Sequence, residues 1–219
     1  EITDGNMIKR ELITRACSLT NGINLATLDY KTMRKKTLAK FPQLKDITFS
    51  YQMPDRLKVV LEERTPMVRI EVSGRRTNTG LVADEQGYVF RKYPNTSSLP
   101  VIRMRSIADV IPGKQLKPRA MAAIRLLETL KNPDFIELSA LNADISKKDF
   151  ILITFKSDYS QAKIAWTDMD VDSPAGKASM LRQLTHLLQA MRLGTGARLW
   201  NATDTSTPGR IYAEVKPSP

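Results

Sequence analysis

The sequence contains one cysteine and one histidine, Cys17 and His186, and a nucleophilic catalytic site of Cys–His or Ser–His–Asp type would have to use them. Cys17 falls at the end of a predicted helix, where it is expected to pack rather than to react. When residues are placed about 100° apart around another predicted helix, His186 falls on its polar side. Neither residue has a partner motif, so we expect no catalytic triad and no enzymatic activity. Zinc sites built on Cys/His pairs are excluded.

A run of alternating carboxylates, Asp168, Asp170 and Asp172, is the pattern with which an EF-hand calcium loop begins. Such a loop then requires Gly at its sixth position and Glu at its twelfth. Those two positions hold Ser173 and Ser179. The three acids are instead expected to favour the N-terminus of the helix that follows. The sequence therefore predicts no metal site and no cofactor.

The charge of the chain is strongly positive, with 34 Lys and Arg against 23 Asp and Glu and a formal net charge of +11. Such an excess favours encounter with anionic partners, which include nucleic acid, lipid headgroups and acidic cell-wall polymer. It also has a simpler interpretation as a solvated basic face. Because no RNA-binding strand signature or zinc-finger spacing accompanies the charge, no nucleic-acid partner is expected.

The spacing of apolar residues predicts the elements of the first part of the chain. It predicts a helix over residues 6–17 and a second one from an N-cap at Asp29 to Lys40. The apolar period then changes to two between positions 47 and 61, which predicts a hairpin around a turn at 53–55. With Ile2 and Thr3 as the end of a first strand, the order is β-α-α-β-β. We expect this unit to form one domain, residues 1–66.

The remaining residues, 67–219, are predicted to form a larger mixed-sheet β domain with two helices, which makes the fold class α+β. One helix is expected at 118–131. The other is expected at 174–193, with Leu181, Leu184, Leu188 and Met191 buried and Gly194 at its end. The predicted strands are 68–72, 81–82, 88–90, 99–102, 135–141, 150–156, 162–166, 198–202 and 210–215.

Several short motifs occur in an order that points to a family. Gly5-Asn6 precedes the first helix, and Glu63-Arg64-Thr65-Pro66 closes the β-α-α-β-β unit. Residues 81–90 follow, with Asp84, Gly87 and Phe90 at their landmark positions, and Leu99-Pro100 comes next. Together these features resemble a POTRA domain followed by the β domain of the FtsQ/DivIB cell-division proteins. The resemblance covers almost the whole chain.

The resemblance implies a single-pass protein of the cell inner membrane. Its membrane helix would precede Glu1, and this chain would lie in the periplasm or otherwise outside the cytoplasm. Proteins of this kind are non-enzymatic scaffolds of the divisome. They bind FtsB/DivIC-like and FtsL-like division proteins and help to control the septal peptidoglycan synthesis machinery. In that family the POTRA domain is linked to recruitment, and the far end of the β domain to the capture of FtsB.

A physical mechanism for such capture is available at the last predicted strand. If this strand is an open sheet edge, its unpaired backbone N–H and C=O groups can accept a partner strand. Tyr212 would anchor the partner, and Arg210 would pair with one of its acidic residues. The alternative is that Tyr212 only covers the sheet and that the chain's own tail caps the edge. The candidate partner-binding residues are Arg210, Ile211, Tyr212, Ala213, Glu214 and Val215.

Two other functions are compatible with parts of the sequence. A POTRA unit also occurs in proteins of outer-membrane protein assembly and two-partner secretion. Those proteins usually carry a large C-terminal barrel, and residues 67–219 lack the regular amphipathic strands of about ten residues that a barrel requires. The net charge of +11 favours, more weakly, a nucleic-acid-binding protein.

Overall fold

The computed structural model of this chain describes residues 8–20, 22–73, 78–91, 96–106, 108, 110–165, 173–194, 197–204 and 210–214. Helices and strands form two groups with separate cores, and the predicted α+β class is confirmed. The helices are α1 (Arg10–Ala16), α2 (Tyr30–Lys40), α3 (Pro118–Thr129) and α4 (Pro174–Arg192). The strands are β1 (Leu44–Gln52), β2 (Arg56–Glu63), β3 (Val68–Val72), β4 (Asn78–Ala83), β5 (Val89–Arg91), β6 (Val101–Met104), β7 (Ala140–Asp144), β8 (Phe150–Phe155), β9 (Gln161–Ala165), β10 (Leu199–Ala202) and β11 (Tyr212–Glu214).

The first group packs α1 and α2 against the antiparallel hairpin β1–β2. The Asp29 side chain accepts a hydrogen bond from the Thr32 backbone N–H and so caps α2, as its position predicts. Alternation along the hairpin places Ile47 and Val59 in the buried core that also contains Ile13 of α1. The hairpin is held in register because a slip of one residue would expose these side chains.

The second group is built on a nine-stranded mixed sheet with the order β11-β10-β9-β8-β7-β6-β3-β4-β5. One face of the sheet shares a buried core with α3 and α4, to which Ile102, Ile153 and Trp200 contribute. Pro118 occupies the first turn of α3, where its missing N–H has no cost. The Ser173 hydroxyl accepts from the Gly176 N–H at 3.0 Å and caps α4. Gly194 follows α4 at φ +63°, as a C-terminal glycine should.

The other face of the sheet carries polar side chains at its centre. Asn142, Thr154 and Gln161 lie side by side on β7, β8 and β9. Thr154 lies 3.2 Å from the Asn142 side-chain oxygen and accepts from the Gln161 amide at 3.3 Å. Because Asn142 and Thr154 are buried, this ladder satisfies polar groups that would otherwise be costly at that position.

The two groups meet where β2 leads into β3. The Arg64 guanidinium lies 2.6 Å from the Asp84 carboxylate and 4.1 Å, measured to the ring centroid, from Tyr88. Asp84 also accepts from the Tyr88 backbone N–H at 2.8 Å. The Arg64 and Asp84 side chains are only 12% and 7% exposed. A buried, multiply bonded ion pair thus joins the first group to the turn between β4 and β5.

Two sequence-based expectations are wrong. Residues 135–141 do not begin as a strand, because Pro133–Leu138 form a 3₁₀-helix that the Asn132 side chain caps, and β7 starts only at Ala140. Phe135 and Leu138 are three residues apart, so one turn of helix buries both of them. Leu181 is exposed, and Met180 and Leu187 are buried on α4 beside the expected Leu184 and Leu188.

Several expectations fall outside the described residues. They are the first strand at Ile2-Thr3, the Gly5-Asn6 landmark, the acidic run 168–172 and Val215 at the end of the last predicted strand.

Candidate protein-interaction edge

Strand β11 occupies one end of the nine-strand order. It pairs with β10 in antiparallel register, which places Tyr212 beside Asn201 and Ala213 beside Trp200. Within the described part of the chain, no strand pairs with the outer side of β11. The backbone N–H and C=O groups on that side are therefore positioned to bond a strand from another molecule.

Strand β10 fixes the position of this edge. It pairs in parallel with β9 and buries Trp200 in the core beneath α4. The Asn201 side-chain oxygen accepts from the Thr203 N–H at 3.1 Å and lies 2.7 Å from its hydroxyl, so it orders the turn that leaves β10. Trp200 was not among the residues predicted from the sequence to matter for this edge. Its signal was a large aromatic residue at a core position of an alternating strand, next to the candidate edge.

The last strand, predicted at 210–215, starts only at Tyr212 in the structure, so Arg210 and Ile211 precede it. The side chains of this segment divide between two faces. Ile211 and Ala213 pack against the core shared with α3 and α4. Arg210 is exposed, and Tyr212 is 49% exposed on the opposite face. Across that face Tyr212 is in register with Asn201, which is in register with Lys163. Glu214 pairs with Leu199 through the backbone. The edge thus combines main chain that no strand of the described residues pairs with, an accessible phenol ring and a cationic side chain.

The single cysteine and the single histidine of the chain belong to different packing groups. The Cys17 sulfur is buried and lies 3.3 Å from the Thr37 hydroxyl, where it joins α1 to α2. Burial raises the pKa of the Cys17 thiol, which keeps it in the less reactive protonated form. His186 is half-buried on α4. The structure therefore does not bring them together as a catalytic pair.

A cleft of about 360 Å³ lies at the junction of the two groups. Several of the charged residues that line it are engaged in structural contacts. Lys45 pairs with Glu62 at 2.8 Å, Arg64 pairs with Asp84, and Glu63 accepts from the Ile8 backbone N–H at 2.9 Å. In the described residues, no group of three or more His, Cys, Asp or Glu could hold a metal ion. None of the described helices is long and apolar enough to cross a membrane.

Comparison with known proteins adds one finding. Residues 1–64 match the family described as POTRA domain, FtsQ-type. The matched segment contains α1, α2 and the β1–β2 hairpin, and it ends at the arginine of the buried ion pair. The sequence has no significant match among curated proteins.

Proposed function

We propose that this chain is a non-enzymatic scaffold of the bacterial divisome, because its residues 1–64 match the family described as POTRA domain, FtsQ-type. It binds FtsB/DivIC-like and FtsL-like division proteins and through them influences septal peptidoglycan synthesis. The observation that carries the proposal is the coexistence of this family match with a strand edge at β11 on which no other strand of the described residues pairs. A scaffold needs surfaces that accept partners, and an unpaired edge is such a surface.

The proposed arrangement places the chain outside the cytoplasm, anchored in the inner membrane by a single helix that precedes it. Residues 1–66 act as the POTRA domain and residues 67–219 as the partner-binding β domain. The ion pair between Arg64 and Asp84 supports a defined orientation of the two, since it crosses the proposed boundary.

Capture occurs by addition of a partner strand beside β11. Main-chain hydrogen bonds supply affinity that depends little on sequence, and side chains at alternate positions supply specificity. Tyr212 offers an aromatic surface to the partner. Arg210 pairs with an acidic side chain of the partner, while Ile211 and Ala213 hold the strand on its own core. Glu214 and Val215 complete the candidate set.

The proposal is tested by measuring the affinity of the 219-residue chain for an FtsB-like segment by calorimetry. Tyr212→Glu should weaken binding at least 10-fold. It removes a large aromatic side chain, of a type that often contributes most of the binding energy of an interface, and it adds a negative charge. Tyr159→Glu is the matched control, since Tyr159 is exposed and lies in the turn between β8 and β9, the fourth and third strands from that end of the sheet. Circular dichroism must show that both variants are folded.

A second arm separates strand addition from docking by side chains alone. Methylation of alternate backbone amides in the partner segment removes donors on one of its edges without altering its side chains. Methylation in one of the two alternating registers should abolish binding, and methylation in the other should be tolerated. Equal binding of both methylated segments, or full affinity of Tyr212→Glu, would contradict capture at β11.

A further inference from the structure

The net positive charge of the first group of elements comes from its helical layer, which we define as residues 8–41. This layer contains eight Lys or Arg and two acidic residues, whereas residues 42–65 contain four of each. The helices are therefore strongly positive and the hairpin on which they pack is neutral. An asymmetry of this kind gives the unit one face that attracts anions at long range.

Helix α2 presents the most concentrated part of that charge. It contains five basic residues and no acidic one. Lys31, Lys35 and Lys36 are all exposed. At about 100° per residue these three fall on one side of the helix, opposite the buried Thr37. The helix therefore combines a side that packs on β1 with a side that carries three ammonium groups.

The other two cations of α2 are already engaged. Arg34 bonds to Asp46 of β1 at 2.8 Å, and Lys40 lies 6.0 Å from the centroid of the Phe41 ring. Among the described residues, no carboxylate forms an ion pair with Lys31, Lys35 or Lys36. Apart from the electrostatic interaction of Lys31 with Asp29, their charge is available to an external partner. They lie on the convex outer surface of a helix. Such a surface can contact an extended anionic surface better than it can enclose a single small anion.

We propose that the helical layer binds an anionic lipid surface through Lys31, Lys35 and Lys36. Exposed Leu12 of α1 adds an apolar side chain to the same layer, and such side chains enter the headgroup region beside basic ones. A single-stranded nucleic acid would need an aromatic platform. Tyr30 does not provide one, because its ring stacks on Phe49 and its hydroxyl donates to the Leu25 carbonyl. This binding does not depend on partner capture at β11.

The test is cosedimentation of the 219-residue chain with vesicles of phosphatidylglycerol and phosphatidylcholine, compared with phosphatidylcholine alone. Each basic side chain near an anionic surface contributes about 1 kcal/mol, or roughly 5-fold in affinity. The triple variant Lys31→Gln, Lys35→Gln, Lys36→Gln should therefore bind anionic vesicles roughly 100-fold more weakly. Glutamine keeps the helix propensity of lysine, so α2 should remain folded.

The control is a triple variant with the same change in net charge, Lys147→Gln, Lys156→Gln, Lys177→Gln, at exposed positions outside the helical layer. It should retain most of the affinity for anionic vesicles. Equal losses in both variants would overturn the proposal, since net charge alone would then explain binding. Absence of binding to anionic vesicles would also overturn it. So would tighter binding to single-stranded DNA than to these vesicles if it were lost in the same α2 variant.

Discussion

The buried thiol of Cys17 shows how a residue with reactive chemistry serves as packing. Its sulfur contacts the Thr37 hydroxyl across the α1–α2 interface, and burial raises its pKa despite that hydrogen bond. The folded state therefore favours the protonated thiol. The resulting contribution to stability is present below the ordinary pKa of 9.0 and is lost as the pH rises through the raised value.

We predict that Cys17 reacts slowly with an aromatic disulfide reagent at pH 8 and rapidly in denaturant, because the thiolate is the nucleophile and the native site disfavours it. A Lys147→Cys variant in a Cys17→Ser background supplies an exposed thiol for comparison. The native Cys17 thiol should react at least 10-fold more slowly than that control. Equal rates would show that the site opens readily.

For single residues, the sequence predicts only those roles that the residue type and its near neighbours determine. Cys17 as a packing residue and Asp29 as an N-cap follow from local chemistry that the sequence displays. Burial on α4 was harder to predict, because Leu181 and Leu187 are chemically identical and only the position of the sheet decides which is covered. The structure exposes the first and buries the second.

At the scale of elements, the tight turn before β5 depends on Gly87. Its φ is +77°, its N–H donates to the Asp84 carbonyl, and its own carbonyl accepts from the Leu116 N–H. A Cβ added there would lie 2.0 Å from the Met121 sulfur of α3. The turn therefore places the backbone of Gly87 against α3, and a side chain at this position would fit only if Met121 moved.

We predict that Gly87→Ala destabilises the protein by about 1–2 kcal/mol from its backbone conformation and by about 1–3 kcal/mol from the displaced methionine. Gly22→Ala is the matched control, because Gly22 has φ +86° and no neighbour within 4 Å. Urea denaturation should show the larger loss for Gly87→Ala, and adding Met121→Ala should recover part of the difference. Equal losses in the two glycine variants would contradict a role for the helix contact.

Capping at the start of α4 gives a second prediction for a single element. Ser173→Ala removes the acceptor for the Gly176 N–H and should cost about 1 kcal/mol. Ser173→Asp should retain the cap, because aspartate is an equally good N-cap residue. Denaturant midpoints of the two variants check this, and a loss of equal size in both would argue against a capping role.

Elements were predictable where one pattern dominated. The hairpin β1–β2 alternates between positions 47 and 61, and α3 begins at Pro118, so both were located from sequence. Residues 133–141 carry Phe, Ile and Leu close together, which favours a strand by composition. Asn132 and Pro133 instead start a 3₁₀ turn, and this local capping overrides composition.

At the scale of the molecule, the ion pair between Arg64 and Asp84 joins two separately packed groups. We predict that Arg64→Ala destabilises the chain by about 3–5 kcal/mol, because it leaves a buried carboxylate without its cation. Arg34→Ala is the control. The Arg34 side chain, which pairs with Asp46, is 53% exposed, so this ion pair should contribute at most about 1 kcal/mol to the free energy of unfolding. Chemical denaturation compares them, and similar losses would show that the buried pair is not a structural link.

The whole arrangement could be predicted only in outline. Strand and helix order indicated α+β with a mixed sheet. The β-α-α-β-β order and its closing motif, Glu63-Arg64-Thr65-Pro66, indicated the POTRA unit, which the family match confirms. The sheet order could not be predicted, because β6 lies between β7 and β3 through long-range pairing that local patterns do not encode. That the last strand lies at an edge became clear only from the sheet order. Partner binding at that edge remains a prediction.

The sheet order also sets a distance. Six strand spacings separate β11 from β3, the strand by which the chain enters the sheet. At about 4.8 Å per spacing this is roughly 29 Å. A strand docked beside β11 would lie one spacing farther out, roughly 34 Å from β3. The hydrogen-bonded strands between them would keep that separation fixed.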